Sequence, residues 1–282
     1  MTHTILISGV SGGLGRSFAT AALEAGHTVI GTLRRPEQIA AFEALAPGRA
    51  HGILLDVTDT SAIAPAIERV EREIGPITAL VNNAGYGVEG AFEETPLDTV
   101  REQFEVNVFG VIELTRAVLP YLRSRRAGHV VFITSMGGLR AFPGLTAYNS
   151  TKYAVEGLAD ALRPEIASFG IHVTSIEPGG FRTNWAGSSM TRAPRSIEDY
   201  NSVMDPIREG RLKMSGNQIG NPDAAGLALL TVLDSKTPPA HLMLGSDALR
   251  LVGEARSAFD SEAEAWREVS LSTDFEDGIT LG

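Results

Sequence analysis

The sequence contains no cysteine, which excludes disulfides, zinc-thiolate sites, iron-sulfur clusters and thiol nucleophiles. It has no apolar run near the roughly 20 residues that span a bilayer. Runs such as "VVFI" are far shorter, and the opening "MTHTILISG" reads as a strand rather than a signal peptide. Cations are in deficit: 24 Lys and Arg against 34 Asp and Glu give a formal net charge of -10. A field of that sign repels nucleic acid and anionic membranes, so neither is expected as a partner. No Pro/Ser-rich linker and no break in composition divides the 282 residues. The expectation is one cytoplasmic α/β domain over residues 1–282 that acts on a small molecule.

What the chain does have is short β-branched runs between helix-length amphipathic stretches. "TILIS", "HTVIGT", "HGILLD", "ITALVN", "HVVFITS", "IHVTSIEP" and "HLMLG" follow one another in this way. Apolar strands joined by helical crossovers predict a doubly wound, mainly parallel sheet with helices on both faces, a Rossmann-like α/β fold. Pro65 should kink its helix or push the start of that helix later. Ligands bind at the carboxyl ends of such strands. Small, polar or backbone-shaping residues gather there, including Ser8, Asp56, Asn82, Ser135 and Glu177. All six histidines (His3, His27, His51, His129, His172 and His241) fall at or just before strand starts. That places them on the opposite edge, where no histidine metal site is expected.

The first strand leads into "SGVSGGLG", with glycines at 9, 13 and 15 ahead of the helix "RSFATAALEAG". Missing side chains allow a tight turn and let a pyrophosphate approach the helix amino terminus, whose free N–H groups favour an anion. Dinucleotide sites that select NAD carry an acid at the end of the second strand. Here Leu33 occupies that position and Arg34 and Arg35 follow. Guanidinium groups bind a ribose 2′-phosphate in a bidentate, charge-assisted way, so NADP(H) is expected in preference to NAD(H).

Along "YNSTKYAVEGLADALRPEIASFG" the positions Val155, Ala159, Leu162 and Ile166 follow helical spacing. Stepping back along that stripe reaches Lys152 and then Tyr148, so a phenol and an ammonium group face inward together. Two unit charges about 4 Å apart attract by roughly 1 to 4 kcal/mol in effective dielectrics of about 80 to 20. The lysine is therefore expected to draw the tyrosine pKa from about 10 toward neutrality.

These residues resemble the short-chain dehydrogenase/reductase family. The resemblance rests on the glycine turn, "NNAG" at 82–85, Asn107 in "FEVNVFG", Ser135, Tyr148, Lys152 and "PGGFRT", and spans about residues 4–183. It implies that Ser135 bonds the substrate oxygen, Tyr148 moves its proton, and Lys152 binds ribose hydroxyls. Asn107 is then implied to hold a connecting water. It further implies cofactor contacts from Gly9, Ser11, Gly13, Leu14, Gly15, Arg34, Arg35, Asp56, Val57, Asn83, Ala84, Gly85, Pro178, Gly179 and Thr183. No metal is implied. A homo-oligomer, dimer or tetramer, is the family's usual assembly.

The pocket wall is expected from Tyr86, Val88, the loop after Ser135 and a mobile lid at about 184–220. Phe142, Leu145, Trp185 and Met190 point to an apolar or aromatic ketone or alcohol, while Arg192 or Arg195 would select an acidic one. The chain departs from the family pattern at about 246–282, a helical acidic extension expected to be a solvated surface. The expected activity is NADP(H)-dependent interconversion of a carbonyl and an alcohol. Two alternatives are a non-catalytic NADP-sensing regulator and a redox-neutral lyase or dehalogenase on the same scaffold.

Overall fold

The computed structural model describes residues 2–275 and 278–279, so part of the acidic extension (Glu276, Asp277 and residues 280–282) lies outside the described residues. Its strands and helices alternate as follows: β1 (Thr4–Ile7), α1 (Gly13–Glu24), β2 (Thr28–Leu33), α2 (Ile39–Glu43), β3 (Ala50–Leu54), α3 (Thr60–Glu73), β4 (Ala79–Asn82) and β5 (Val88–Glu89). Then come α4 (Leu97–Phe104), α5 (Gly110–Arg125), β6 (Gly128–Ile133), α6 (Thr146–Ala167), β7 (Ile171–Pro178) and β8 (Thr191–Arg192). The chain continues with α7 (Asn201–Met214), α8 (Pro222–Asp234), β9 (His241–Leu244), α9 (Ser246–Ala265) and α10 (Arg267–Leu271).

Seven strands form one sheet in the order β3-β2-β1-β4-β6-β7-β9, and every pairing is parallel. The chain reverses direction across the sheet between β1 and β4, so the carboxyl ends of these two strands open the crevice where such folds bind ligands. Side chains alternate between faces along each strand. Leu6, Ile30, Leu80, Val130 and Phe132 join residues of α3, α5 and α6 in one core layer. Ile5, Ile7, Val29, Val81, Val131 and Ile133 join α1, α2 and α8 in the other. Each fully buried aliphatic side chain contributes about 1.5–3 kcal/mol, so the two layers hold the sheet edges fixed while the loops at the carboxyl ends carry function.

Two local expectations are corrected. Helix α3 begins at Thr60, ahead of Pro65, with Asp59 accepting from the Ala62 N–H as its cap. The proline therefore removes one donor from the helix without delaying its start. His241 is the other correction. Strand β9 starts opposite Ser175, halfway along β7, so its first residue lies toward the carboxyl half of the sheet rather than on the far edge.

Candidate active site

The strand β6 leads to Ser135, whose backbone is extended (φ -179) and whose Oγ accepts from the Gly137 N–H at 2.9 Å, capping a short turn over Met136–Gly138. Asn149 fastens the following loop to α6: its Nδ2 donates to the Gly137 carbonyl at 2.7 Å and its Oδ1 accepts from the Phe142 N–H at 2.9 Å. A Cβ placed on Gly137 would lie 3.2 Å from both Ser135 Oγ and Tyr148 Cε1, so serine and phenol share one space. Asn149 was not among the residues expected from sequence. Its signal there was a polar side chain beside the inward stripe of α6.

Tyr148 and Lys152 lie on that stripe, 6% and 7% exposed. Lys152 Nζ donates to the Ile133 carbonyl at 2.9 Å and sits 5.8 Å from the centre of the phenol ring. The expected fall of the tyrosine pKa is not seen. Burial pushes the phenol up to about 12, against the opposing effect of the Ser135 hydroxyl. Burial also pushes Lys152 down to about 8, with Glu156 acting the other way. Desolvation of the charged form is the largest effect on both groups. The phenol consequently holds its proton at neutral pH.

This depression of Lys152 has a consequence for stability. Below pH 8 the lysine is charged in both states, and the fold carries the desolvation cost of a buried ammonium. As pH rises from about 8 toward the ordinary 10.5, the unfolded chain alone keeps the proton and the fold gains stability. Lys152→Met should therefore raise Tm at pH 7, by a free energy of up to about 3 kcal/mol. That advantage should shrink between pH 8 and 10, and urea melts across this range test it. An advantage independent of pH would mean that Lys152 is not held charged at a cost.

Asn107 lies in a π-helical turn, Glu105–Phe109, where α4 passes into α5. Such bulges rotate a side chain out of the regular ladder. Its Nδ2 donates to the Tyr86 carbonyl at 2.9 Å and to Thr151 Oγ1 at 3.1 Å, and its Oδ1 accepts from the Tyr86 N–H at 3.1 Å. Asn107 thereby fixes the loop after β4 against α6. A Cβ on Gly85 would come 3.1 Å from Asn107 Oδ1 and 3.8 Å from Lys152 Nζ, so Gly85 keeps the approach to the lysine open.

The glycine turn has a steric reason at each position. Gly9 and Gly13 have φ of 74° and 57°, and a Cβ on Gly15 would fall 2.2 Å from the Gly9 carbonyl oxygen. Helix α1 opens with no side-chain cap and no acidic residue in its first turn, leaving its first N–H groups for an anion. Ser11 is exposed at the tip of this turn, Leu14 packs into the core beneath it, and the Thr183 methyl group faces Gly13. Across the crevice, Asn83 Nδ2 donates to the Ser8 and Gly9 carbonyls at 2.9 and 3.0 Å. The N–H groups of Asn83 and Ala84 both donate to Ser8 Oγ. Ser8 is thus a builder of the site, legible in sequence only as a polar strand end.

Asp56 turns inward on its own loop, accepting from the Thr58 N–H and hydroxyl, while Val57 packs on Gly110. Pro178 ends β7, and the Gly179 N–H donates to the Leu244 carbonyl at 2.8 Å. The Gly180 N–H donates to Asp247 Oδ2 at 2.7 Å, and a Cβ on Gly179 would lie 2.2 Å from Asp247 Oδ1. Asp247 opens α9, so the first turns of the acidic extension brace this loop, with Ala248 and Val252 fully buried. That corrects the expectation of a solvated surface for this part. From Arg256 to Phe275 every residue is exposed, as expected. Arg34 and Arg35 follow Leu33 at the end of β2, exposed and without an ion-pair partner among the described residues. The donors, the steric openings and the free guanidinium groups fit a phosphorylated dinucleotide.

The apolar residues expected at the pocket wall converge on the phenol. Leu145, Tyr148 and Met190 are buried together, with Phe142 and Trp185 against them, and the Trp185 ring centre is 4.9 Å from that of Tyr148. The arginines expected to select an acidic substrate are engaged elsewhere. Arg192 faces buried Glu89 at 3.5 Å and donates to the carbonyls of Ala186 and Gly187. Arg195 donates to Glu94 at 3.0 Å and also engages Asp205 and Asn201. These pairs, and β8, which lies parallel to β5, link the segment expected to be a mobile lid to β5 and the residues that follow β5. Neither Glu89 nor Glu94 was expected, because nothing nearby in sequence announces their partners.

A profile of the short chain dehydrogenase family matches residues 3–193. The chain belongs to that family. This makes it a relative of oxidoreductases, and the sheet order described above is the family's fold. The chain is 40% identical to Oxidoreductase BOA17 of Botryotinia fuckeliana (strain B05.10), over 97% of this chain and all of that one. It is 32% identical to a 3-ketodihydrosphingosine reductase of Bacteroides thetaiotaomicron, over 90% of this chain and 91% of that protein. It is 34% identical to an NADPH-dependent 3-dehydrocapnine reductase of Ornithobacterium rhinotracheale, over 70% of this chain and 72% of that one. Among solved structures, a short-chain dehydrogenase from Streptomyces avermitilis superposes with a TM-score of 0.90 at 40% identity, covering 97% of this chain and 98% of that one. No helix among the described residues is long and apolar enough to cross a membrane.

Proposed function

We propose that this family member is an NADP(H)-dependent reductase of an apolar ketone or aldehyde, with Tyr148 as the proton donor. The observation that carries this reading is the burial of Tyr148 and Lys152 on one face of α6, beside Ser135 and within reach of the opening at Gly85. The cofactor, when bound, supplies a hydride. Lys152, Asn83, Gly85 and Thr183 would line its nicotinamide end, the glycine turn its pyrophosphate, Asp56 and Val57 its adenine, and Arg34 with Arg35 its 2′-phosphate. Two of the relatives are named as reductases, one of a 3-keto and one of a 3-dehydro substrate, and the latter as NADPH-dependent.

The chain's own groups account for the proton side of the reaction. Negative charge that develops on a carbonyl oxygen meets two donors, the Ser135 and Tyr148 hydroxyls, and such stabilisation counts only as the charge appears. Tyr148 then gives up its proton. The ammonium of Lys152, in place before the reaction, favours the tyrosinate that remains. The apolar shelf of Leu145, Trp185 and Met190 excludes water and suits a substrate that is not ionised near its carbonyl.

Cofactor preference is tested by Arg34→Ala. A lost charge-assisted contact costs about 1.5–3 kcal/mol, so NADPH binding should weaken about 10- to 100-fold with NADH nearly unaffected. Fluorescence titration of the two reduced cofactors measures this. Equal losses would leave Arg34 as surface charge alone.

A further inference from the structure

A second cluster of reactive side chains lies against the same helix, apart from Ser135 and Tyr148. Glu156 stands one turn beyond Lys152 on α6, Glu177 lies near the end of β7, and His241 opens β9. Glu156 and Glu177 are 4% and 0% exposed. His241 Nδ1 lies 2.7 Å from Glu177 Oε1 and 3.8 Å from Glu156 Oε2, while its Nε2 lies 3.1 Å from Asp160 Oδ1. Both oxygens of Glu156, Oε2 of Glu177 and Oγ of Ser175 lack any hydrogen-bond partner. The hydroxyls of Thr134 and Ser175 lie close enough to Glu156 to favour its charged form, and Thr134 also donates to the Ile176 carbonyl.

Two carboxylates this deep repel one another, a costly arrangement unless positive charge is added. The imidazole is poised to help hold such a charge. Asp160 is placed to accept from Nε2–H, and in that tautomer the Nδ1 lone pair faces both carboxylates, the arrangement of a carboxylate-oriented metal ligand. One donor atom from each of Glu156, Glu177 and His241 falls within 4.8 Å of the other two. A tetrahedral ion with bonds of about 2.0–2.2 Å separates its ligands by roughly 3.3–3.6 Å, a range bracketed by the two Nδ1–oxygen distances. Two carboxylates would also cancel the charge of a dication. His241 and Asp160 are partly exposed, which gives an ion a way in.

We propose that Glu156, Glu177 and His241 form a binding site for a divalent transition-metal ion, zinc being the best match, oriented from outside by Asp160. The ion would join α6, β7 and β9 just behind the end of the sheet that carries Pro178 and Gly179. Position in the register conceals this site in the sequence, where His241 reads as a strand-start residue on the wrong edge.

The test uses the full chain, stripped with a chelator and titrated with zinc chloride by calorimetry, with cobalt(II) as a spectroscopic probe. The expected result is one ion per chain, ligand-field bands of low-coordinate cobalt, and a higher Tm with metal. Glu177→Gln and His241→Ala should each abolish saturable binding, and Asp160→Asn should weaken it about 10- to 100-fold. Should a variant fail to fold, the cobalt-loaded wild type decides alone through one hyperfine-shifted imidazole N–H resonance. Absence of saturable binding, of that resonance, or of any effect of Glu177→Gln would overturn the site and leave a carboxylate pair that shares a proton with His241. None of these readouts depends on turnover, so the site and the proposed reductase activity stand or fall separately.

Discussion

Tyr148→Phe is expected to lower ketone turnover with NADPH by about 10²- to 10⁴-fold, the range contributed by a positioned proton donor. The substitution removes one hydroxyl and leaves the ring in contact with Leu145, Trp185 and Met190, so fold and cofactor affinity should be retained. The measurement pairs the loss of NADPH absorbance over a panel of apolar ketones with a separate cofactor titration. Loss of turnover with intact binding supports the assignment. Undiminished turnover would remove the phenol from the reaction, and binding without turnover in the wild type across the panel would favour an NADP-sensing protein.

Glu89→Ala should have the largest effect on stability. Glu89 is fully buried, and Arg192, Arg208 and Arg211 approach it at 3.5, 2.9 and 3.2 Å. Their side chains are only 22%, 21% and 13% exposed, so removal of the carboxylate leaves three partly buried cations facing one another. Breaking one partner out of a buried ionic cluster costs about 3–5 kcal/mol. In a chain of this size that is a fall in Tm on the order of 10 °C. The damage should be concentrated where the arginines lie, so amide exchange should rise first over residues 191–214. By contrast, Arg72→Ala breaks an exposed, solvent-screened pair with Glu73 and should leave Tm almost unchanged. A loss from Glu89→Ala as small as that of Arg72→Ala would mean that solvent reaches the cluster freely.

The glycine turn could be read in advance because its requirement is local. A positive φ at Gly9 and the 2.2 Å approach at Gly15 exclude any side chain, and that exclusion is written in the residue type. The inward stripe of α6 was legible for a similar reason: helical periodicity puts Tyr148 and Lys152 in line with Val155 and Ala159 whatever the rest of the chain does. The balance of forces on the phenol was not legible. Sequence supplies the lysine charge but not the depth of burial, and here desolvation is the largest effect on the phenol.

Sequence alone therefore determined the parallel α/β architecture, the position of the glycine turn at the carboxyl end of β1 and the inward face of α6, because periodicity and steric freedom are properties of neighbouring residues. Only the tertiary structure decided what the charged side chains do. Glu89 meets Arg208 across 119 residues, Asp247 braces Gly180 across 67, and His241 reaches Glu177 through the offset of β9 along β7. Those partners are chosen by distance in space, which is set by the packing of whole elements and leaves no mark in any short stretch of the chain.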